Sequence, residues 1–409
     1  MRKSNRNELT LLTAVFLFWF SVYTYPSFLS TYASNRLGAT KLLTGMIVGS
    51  YGLTQMILRI PLGILSDVLK KRKIFVMVGF MLSILASGGL AVVALIAGRE
   101  KVPQGLAYAV LIFRGISGMM AATWVNFSVL YASSYQGDEV AAAMSRIVVP
   151  QTGSQIIAML LGAQLAGRVG EFWAFLLAMV ASILGLVVMS RVKEQVPAGD
   201  PMTLRGFLEV AKNRRLILGT LLAAIYQLVV WATVQGFVQN WARDVIGLTT
   251  AELGFLSVAN LLPNTILSRF SGTVFAPRFG RKAVLAAGFL LMAIACFLYP
   301  GTGSIGSLLA VQALLGSGVG LIMPLTMASA IETVPNEKRG AAMGIYQAIY
   351  GVGMFIGPVL AGAVIEVFDP APANGIPVQG YIANFYVALG IALLGGVLAV
   401  FLDKTSKNQ

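Results

Sequence analysis

Apolar residues in this chain gather into long runs separated by short polar segments. Twelve runs can be delimited: 9–32, 42–66, 74–97, 104–132, 141–165, 171–190, 216–240, 251–275, 282–300, 305–332, 341–366 and 380–402. A helix that crosses a bilayer needs about 20 mostly apolar residues, and each run approaches or exceeds that length. The alternation of every second residue that a lipid-facing barrel strand requires is absent. The pattern therefore predicts an all-α membrane protein with twelve transmembrane helices. The first run is too long for the core of a cleavable signal peptide and lacks a small-residue cleavage site.

Composition agrees. Of 409 residues, 57% are apolar and 11% charged, against about 25% charged in an ordinary soluble domain. The net charge of +14 raises nucleic acid as a partner, but an aqueous nucleic-acid binder has no use for so much apolar surface, so none is expected. Membrane lipid and a small-molecule substrate are the expected partners of a monomer. Histidine is absent and Cys296 is the one cysteine. That removes imidazole catalysis, most zinc sites and any intrachain disulfide, so neither metal nor cofactor is expected. The spans hold no acid/base pair at mid-membrane, which argues against an enzyme.

Lys and Arg set the orientation. They crowd the N-terminus, the loops at 67–73, 191–215 and 278–282, the pair Lys338-Arg339 and the C-terminus. The opposite ends hold Arg36, Lys41, Arg99, Lys101, Arg168 and Arg243 alone. An integral, multi-pass plasma-membrane protein with both termini in the cytoplasm is expected. The long polar segment 191–215 divides the chain into a half at 1–190 and a half at 216–409. Within it Asp200-Pro201 reads as a helix start, and Leu204, Phe207, Leu208 and Ala211 as the apolar face of a surface helix.

The halves repeat. Gly63-Ile-Leu-Ser-Asp67, followed by Lys70, Lys71, Arg72 and Lys73, occupies the place that Thr273-Val-Phe-Ala-Pro277 and Arg278, Arg281 and Lys282 take after helix eight. Arg114-x-x-x-Gly118 in helix four answers Gln312-x-x-x-Gly316 in helix ten. Leu161-Gly162-Ala163-Gln-Leu-Ala-Gly167 answers Ile356-Gly357-Pro358-Val-Leu-Ala-Gly362. Three correspondences in order mark an internal duplication.

At these residues the chain resembles the major facilitator superfamily of secondary transporters over essentially its whole length. Gly63, Asp67, Lys71 and Arg72 resemble that family's helix 2–3 loop signature, departing at Val68 and Lys70. Arg114, Gly118, Ala121 and Ala122 resemble its helix-four signature, with Ser117 in place of the usual Gln. The resemblance implies two pseudo-symmetric six-helix halves around a central cavity open to each side in turn, and a latch role for the Gly63–Arg72 loop. Physically, Gly63 would admit a close helix, and Asp67 would face the positive start of helix eleven, residues 340–343.

No acidic residue falls at mid-span, so the titrating carboxyl usual in proton-coupled pumps is missing. Helix one, Phe18 to Pro26, lacks the acid many drug/proton antiporters of the family carry, and their helix-five Gly-Pro is Gly162-Ala163 here. Positive charge is present instead. Arg59, Arg114 and Arg269 lie inside apolar runs, where a charge costs at least about 2.5–3.5 kcal/mol. Tyr51, Gln55 and Arg59 share a face, and the duplication relates Arg59 to Arg269. The two resemble the arginine pair that grips the anion in the family's nitrate/nitrite porters, although the glycine-rich nitrate signatures are not evident. Snorkelling or carbonyl bonding is the structural alternative.

Uncharged polar and aromatic residues add stripes: Tyr23 on helix one, Gln151 and Gln155 on five, Gln227, Trp231 and Gln235 on seven, Asn260 and Asn264 on eight, Gln312 on ten, Tyr346, Gln347 and Tyr350 on eleven. Packing bonds explain any one alone; the set outlines a cavity for a small amphiphilic molecule. The resulting expectation is alternating-access transport of a small organic solute, leaning anionic or amphiphilic. The alternatives are proton-coupled multidrug or lipid efflux, with Glu366, Glu332 or Asp67 titrating, and a solute-sensing membrane receptor.

Overall fold

The computed structural model describes residues 2–98, 105–133, 135, 139–194, 209–335, 338–370 and 375–401. Most of the expected surface helix after Asp200 lies outside them, as does the Asp67 side chain. The described chain folds into twelve helical rods. In the first half, α1 runs Arg2–Tyr23 and continues through Pro26–Thr31 and a π-helical turn Tyr32–Arg36; α2 is Lys41–Leu69 and α3 Lys73–Ala97. Then α4 is Leu106–Ala122 with Trp124–Ala132, α5 Glu139–Arg168 and α6 Glu171–Ser190. In the second half, α7 is Arg214–Ala232, a π-helical turn Thr233–Phe237 and Val238–Asp244, while α8 is Thr250–Phe270 extended through Phe279. The last four are α9 Arg281–Leu298, α10 Ile305–Ile331, α11 Arg339–Phe368 and α12 Val378–Ala399.

Ten of these rods are long and apolar enough to cross a membrane on length and composition alone. The other two are α5 and α8, which carry Gln151, Gln155, Asn260, Asn264 and Arg269. They pack against each other across the two halves; of these polar residues Asn260 is buried, Gln151, Gln155 and Asn264 are half-buried, and Arg269 is exposed. Lipid tails are as apolar as leucine, so the bundle is held by close packing rather than by expulsion of water. Phe18 meets Phe80 and Phe127 edge-on, with centroids 5.6 and 5.7 Å away, and Tyr299 stacks on Phe385 at 4.8 Å.

The duplication is visible as packing. A Cβ on Gly118 would run into the backbone oxygen of Tyr51, and one on Gly316 into that of Asn260. So α4 lies on α2 as α10 lies on α8, each pair joined where a missing side chain lets backbones touch.

Between halves, α2 packs on α11 and α5 on α8. At the end away from the chain termini these pairs touch backbone to backbone: Gly45 on Pro358, Gly362 on Lys41, Gly167 on Ala251. Toward the termini they part. The α2–α11 seam runs on to Gly351 beside Met56 and the Arg59–Tyr350 bond, then stops. Cβ atoms at Gly63, Gly153, Gly272 and Gly340 would meet nothing within 4 Å. The close helix expected on Gly63 is therefore not there, because the bundle is cleft open on the side that carries the termini. In the same loop Lys71 is exposed, while Arg72 is buried and donates its backbone N–H to Glu194.

Candidate functional site

Where the seam ends, mid-way along the rods, side chains from five helices converge. Arg114 is 3% exposed. Its guanidinium lies 4.4 Å from the centroid of the Tyr51 ring and 5.4 Å from that of Tyr25, and Nη1 donates to Ser117 Oγ at 3.4 Å. Arg59, 2% exposed, donates from Nη1 to the Tyr350 hydroxyl at 3.2 Å. Tyr51 stacks on Trp231 of the other half, centroids 5.7 Å apart. Tyr23 lies within electrostatic reach of Arg114, Tyr350 and Tyr51. Tyr346 packs edge-on against Tyr350 at 5.5 Å and shares a 3.0 Å hydrogen bond with Thr326.

The charge balance of this cluster is one-sided. The ion pairs between described residues are Lys41–Asp244, Arg146–Glu8, Arg281–Glu332 and Lys338–Glu209, none of them in the cluster. The Nε atoms of Arg59 and Arg114 meet no acceptor among the described residues. A cation over an aromatic ring recovers about 2 kcal/mol when desolvated, less than the several kcal/mol it costs to take such an ion out of water. Among the described residues the two buried guanidiniums are thus held by rings and hydroxyls, with no carboxylate paired to either.

The sequence-predicted residues separate into four groups. Tyr23, Tyr51, Arg59, Arg114, Trp231, Tyr346 and Tyr350 come together, and Gln55 is buried on α2 between Tyr51 and Arg59, its Oε1 without a partner among the described residues. Asn260 and Gln312 instead pack inside the second half: Asn260 donates to the Gln312 backbone oxygen at 3.2 Å, and Gln312 Oε1 accepts from the Tyr299 hydroxyl at 3.2 Å. Asn264 accepts from Ser268 on its own helix. Gln151, Gln155, Gln227, Gln235 and Gln347 are half-buried. Arg269, the duplicate of Arg59, is exposed, so the two arginines do not form a buried pair. On α8 the helical register that buries Asn260 turns Arg269 out.

The sequence reading missed Tyr25, which the break before Pro26 turns toward Arg114. It also missed the network that closes the far end of the cleft. Asp244, the last residue of α7, accepts from Asn35 at 2.7 Å and from the Tyr381 hydroxyl at 2.6 Å, with Lys41 Nζ at 3.6 Å. Asn240 donates to Ser34, Gln164 to the Ala251 carbonyl, and Glu366 accepts the Leu42 amide at the start of α2. Every one of these except the Tyr381 bond crosses between halves. Their signal in sequence was only that polar residues sit near helix ends.

At the cleft's open side, Glu332 follows α10 and Arg281 opens α9. The hydrogen bond from Arg281 holds the Glu332 carboxyl below its ordinary range, a contact within the second half that leaves the cleft free.

The family model described as Major Facilitator Superfamily matches residues 11–242 and again 220–409. An uncharacterized MFS-type transporter of Methanocaldococcus jannaschii is 24% identical over 87% of this chain and 92% of its own length. The quinolone resistance protein NorA of Staphylococcus aureus is 21% identical over 99% and 98%. Among solved structures, a bacterial homologue of the human lysosomal transporter Spinster, inward-facing and unoccupied, superposes with a TM-score of 0.80 at 14% identity, over 98% of this chain and 96% of that one. The matched model, the repeated helix packing and the twelve-rod bundle together mean that the chain belongs to the Major Facilitator Superfamily: it is an integral, multi-pass membrane transporter, not an enzyme.

Proposed function

We propose that the protein carries a small organic anion across the plasma membrane by alternating access, with Arg59 and Arg114 as its anchors. The observation behind this reading is that both guanidiniums are buried at the seam between the halves with no carboxylate beside them among the described residues. Tyr23, Tyr25, Tyr51, Tyr346, Tyr350 and Trp231 supply the flat walls, and Gln55 a polar edge. The positive-inside bias puts both termini in the cytoplasm, so the cleft seen here opens inward. Residues 1–190 and 216–409 would then rock about the linker 191–215, and the Asp244 and Glu366 contacts would break as the opposite end opens.

Proton-coupled multidrug efflux is the second reading, favoured by the similarity to NorA. It calls for a titrating acid, and the half-buried Glu366 is the described carboxylate placed to serve.

A thermal-shift screen of the purified protein in detergent separates the two, since a ligand of the folded state raises its apparent stability by mass action. Organic anions should stabilise the wild type and lose that effect in Arg59→Gln and Arg114→Gln. Stabilisation by lipophilic cations in all three proteins would overturn the anion reading.

A further inference from the structure

Among the described residues one pair of aromatic rings joins the two halves: Tyr51 of α2 and Trp231 of α7, with planes 13° apart. Tyr51 also lies under the Arg114 guanidinium. Its ring neighbours are thus an indole from one half and a cation from the other.

A ligand can serve both neighbours better than a phenol does. A guanidinium gains more from a carboxylate, which offers two charge-assisted hydrogen bonds, than from a neutral ring. An indole stacks as well on any flat π-system as on tyrosine. A molecule with a planar ring and a carboxylate matches both groups at once, and Arg59 lies on the same face of α2 as Tyr51, about two helical turns along.

Resting on the anion reading above, we propose that the solute is a planar aromatic carboxylate. Its ring stacks on Trp231 in place of the Tyr51 ring, and its carboxylate lies against Arg114 and Arg59. Two consequences follow from the geometry. Trp231 selects for ring flatness while the arginines select for charge, so the two halves read different parts of one molecule. Binding also exchanges a direct contact between the halves, Tyr51 on Trp231, for one made through the ligand.

Isothermal titration of the full-length protein in detergent with benzoate, cyclohexanecarboxylate and benzamide tests this. The first two share a charge and differ in flatness; the first and third share a ring and differ in charge. Benzoate should bind about five- to tenfold more tightly than cyclohexanecarboxylate. That gap should shrink to within about twofold in Trp231→Leu and persist in Trp231→Phe. Equal binding of the two carboxylates, lost in Arg59→Gln, would overturn the aromatic proposal and leave the anion reading standing. A gap that survives Trp231→Leu would overturn the role of Trp231. Benzamide binding as tightly as benzoate would overturn the anion reading and this inference with it. Binding of neither carboxylate, while other organic anions still raise the unfolding temperature, would overturn the inference alone.

Discussion

The two halves share one helix-packing scheme and put different chemistry on it. Gly118 seats α4 on α2 and Gly316 seats α10 on α8 in the same way. One turn earlier, the first half carries Arg114 and the second Gln312. Arg114 reaches the seam between halves and lies over Tyr51 and Tyr25; Gln312 stays inside its own half, bonded to Tyr299. The helix starts differ too. Helix α8 caps itself with a box in which Thr249 and Glu252 exchange hydrogen bonds. Its counterpart α2 has Leu43 at the box position, Thr40 as a local cap, and a carboxylate, Glu366, borrowed from the other half. Close-packed backbone admits few solutions and so survives duplication, whereas a side chain one turn away is free to specialise.

The comparison breaks most visibly at the glycines. Valine at either Gly118 or Gly316 must push two backbones apart, and overpacking of this kind costs about 1–3 kcal/mol. Both variants should unfold at clearly lower temperature than wild type in detergent. If one is tolerated while the other is not, the equivalence of the two packings fails.

Gln312→Leu strands the buried Tyr299 hydroxyl, at about 1–3 kcal/mol. Stability should fall with organic-anion affinity unchanged, the reverse of the expectation for Arg114→Gln. Loss of anion affinity in Gln312→Leu would mean that the second half also contributes to the site.

The smallest effect is at the caps. Removing a cap contact costs about 1 kcal/mol, equivalent to about fivefold in an equilibrium. Glu366→Ala should therefore raise the reactivity of a cysteine placed at Ala39, which is buried at the closed end, by about that factor. Glu252→Ala should leave that labelling unchanged, because its box is internal to α8. The native Cys296 is fully buried and gives no competing signal. Equal labelling in both variants would show that Glu366 does not hold the halves together.

Much of this was legible in the chain. Hydrophobic run length gave all twelve rods, since a bilayer permits little else. The inward place of Arg59 and Arg114 followed from the cost of a charge in lipid. The same argument could not separate Arg269 from them, because that cost says a charge avoids lipid and not where it goes. Helical register on α8 decided that, and no local pattern encodes it. Asn260 and Gln312 look as much like binding residues as Gln55 does; only their partners, each other and Tyr299, show that they hold helices together.

The sequence by itself determined the helix count, the duplication, the family and the excess of buried positive charge, because these depend on composition and spacing within single segments. Tertiary structure alone decided which arginines share a site, that Tyr51 and Trp231 meet across the halves, that Asp244 and Glu366 close the far end, and which side of the bundle stands open. Each of these sets residues tens to hundreds of positions apart against one another. Their meeting depends on how twelve rods tilt and pack together, a property of the whole assembly.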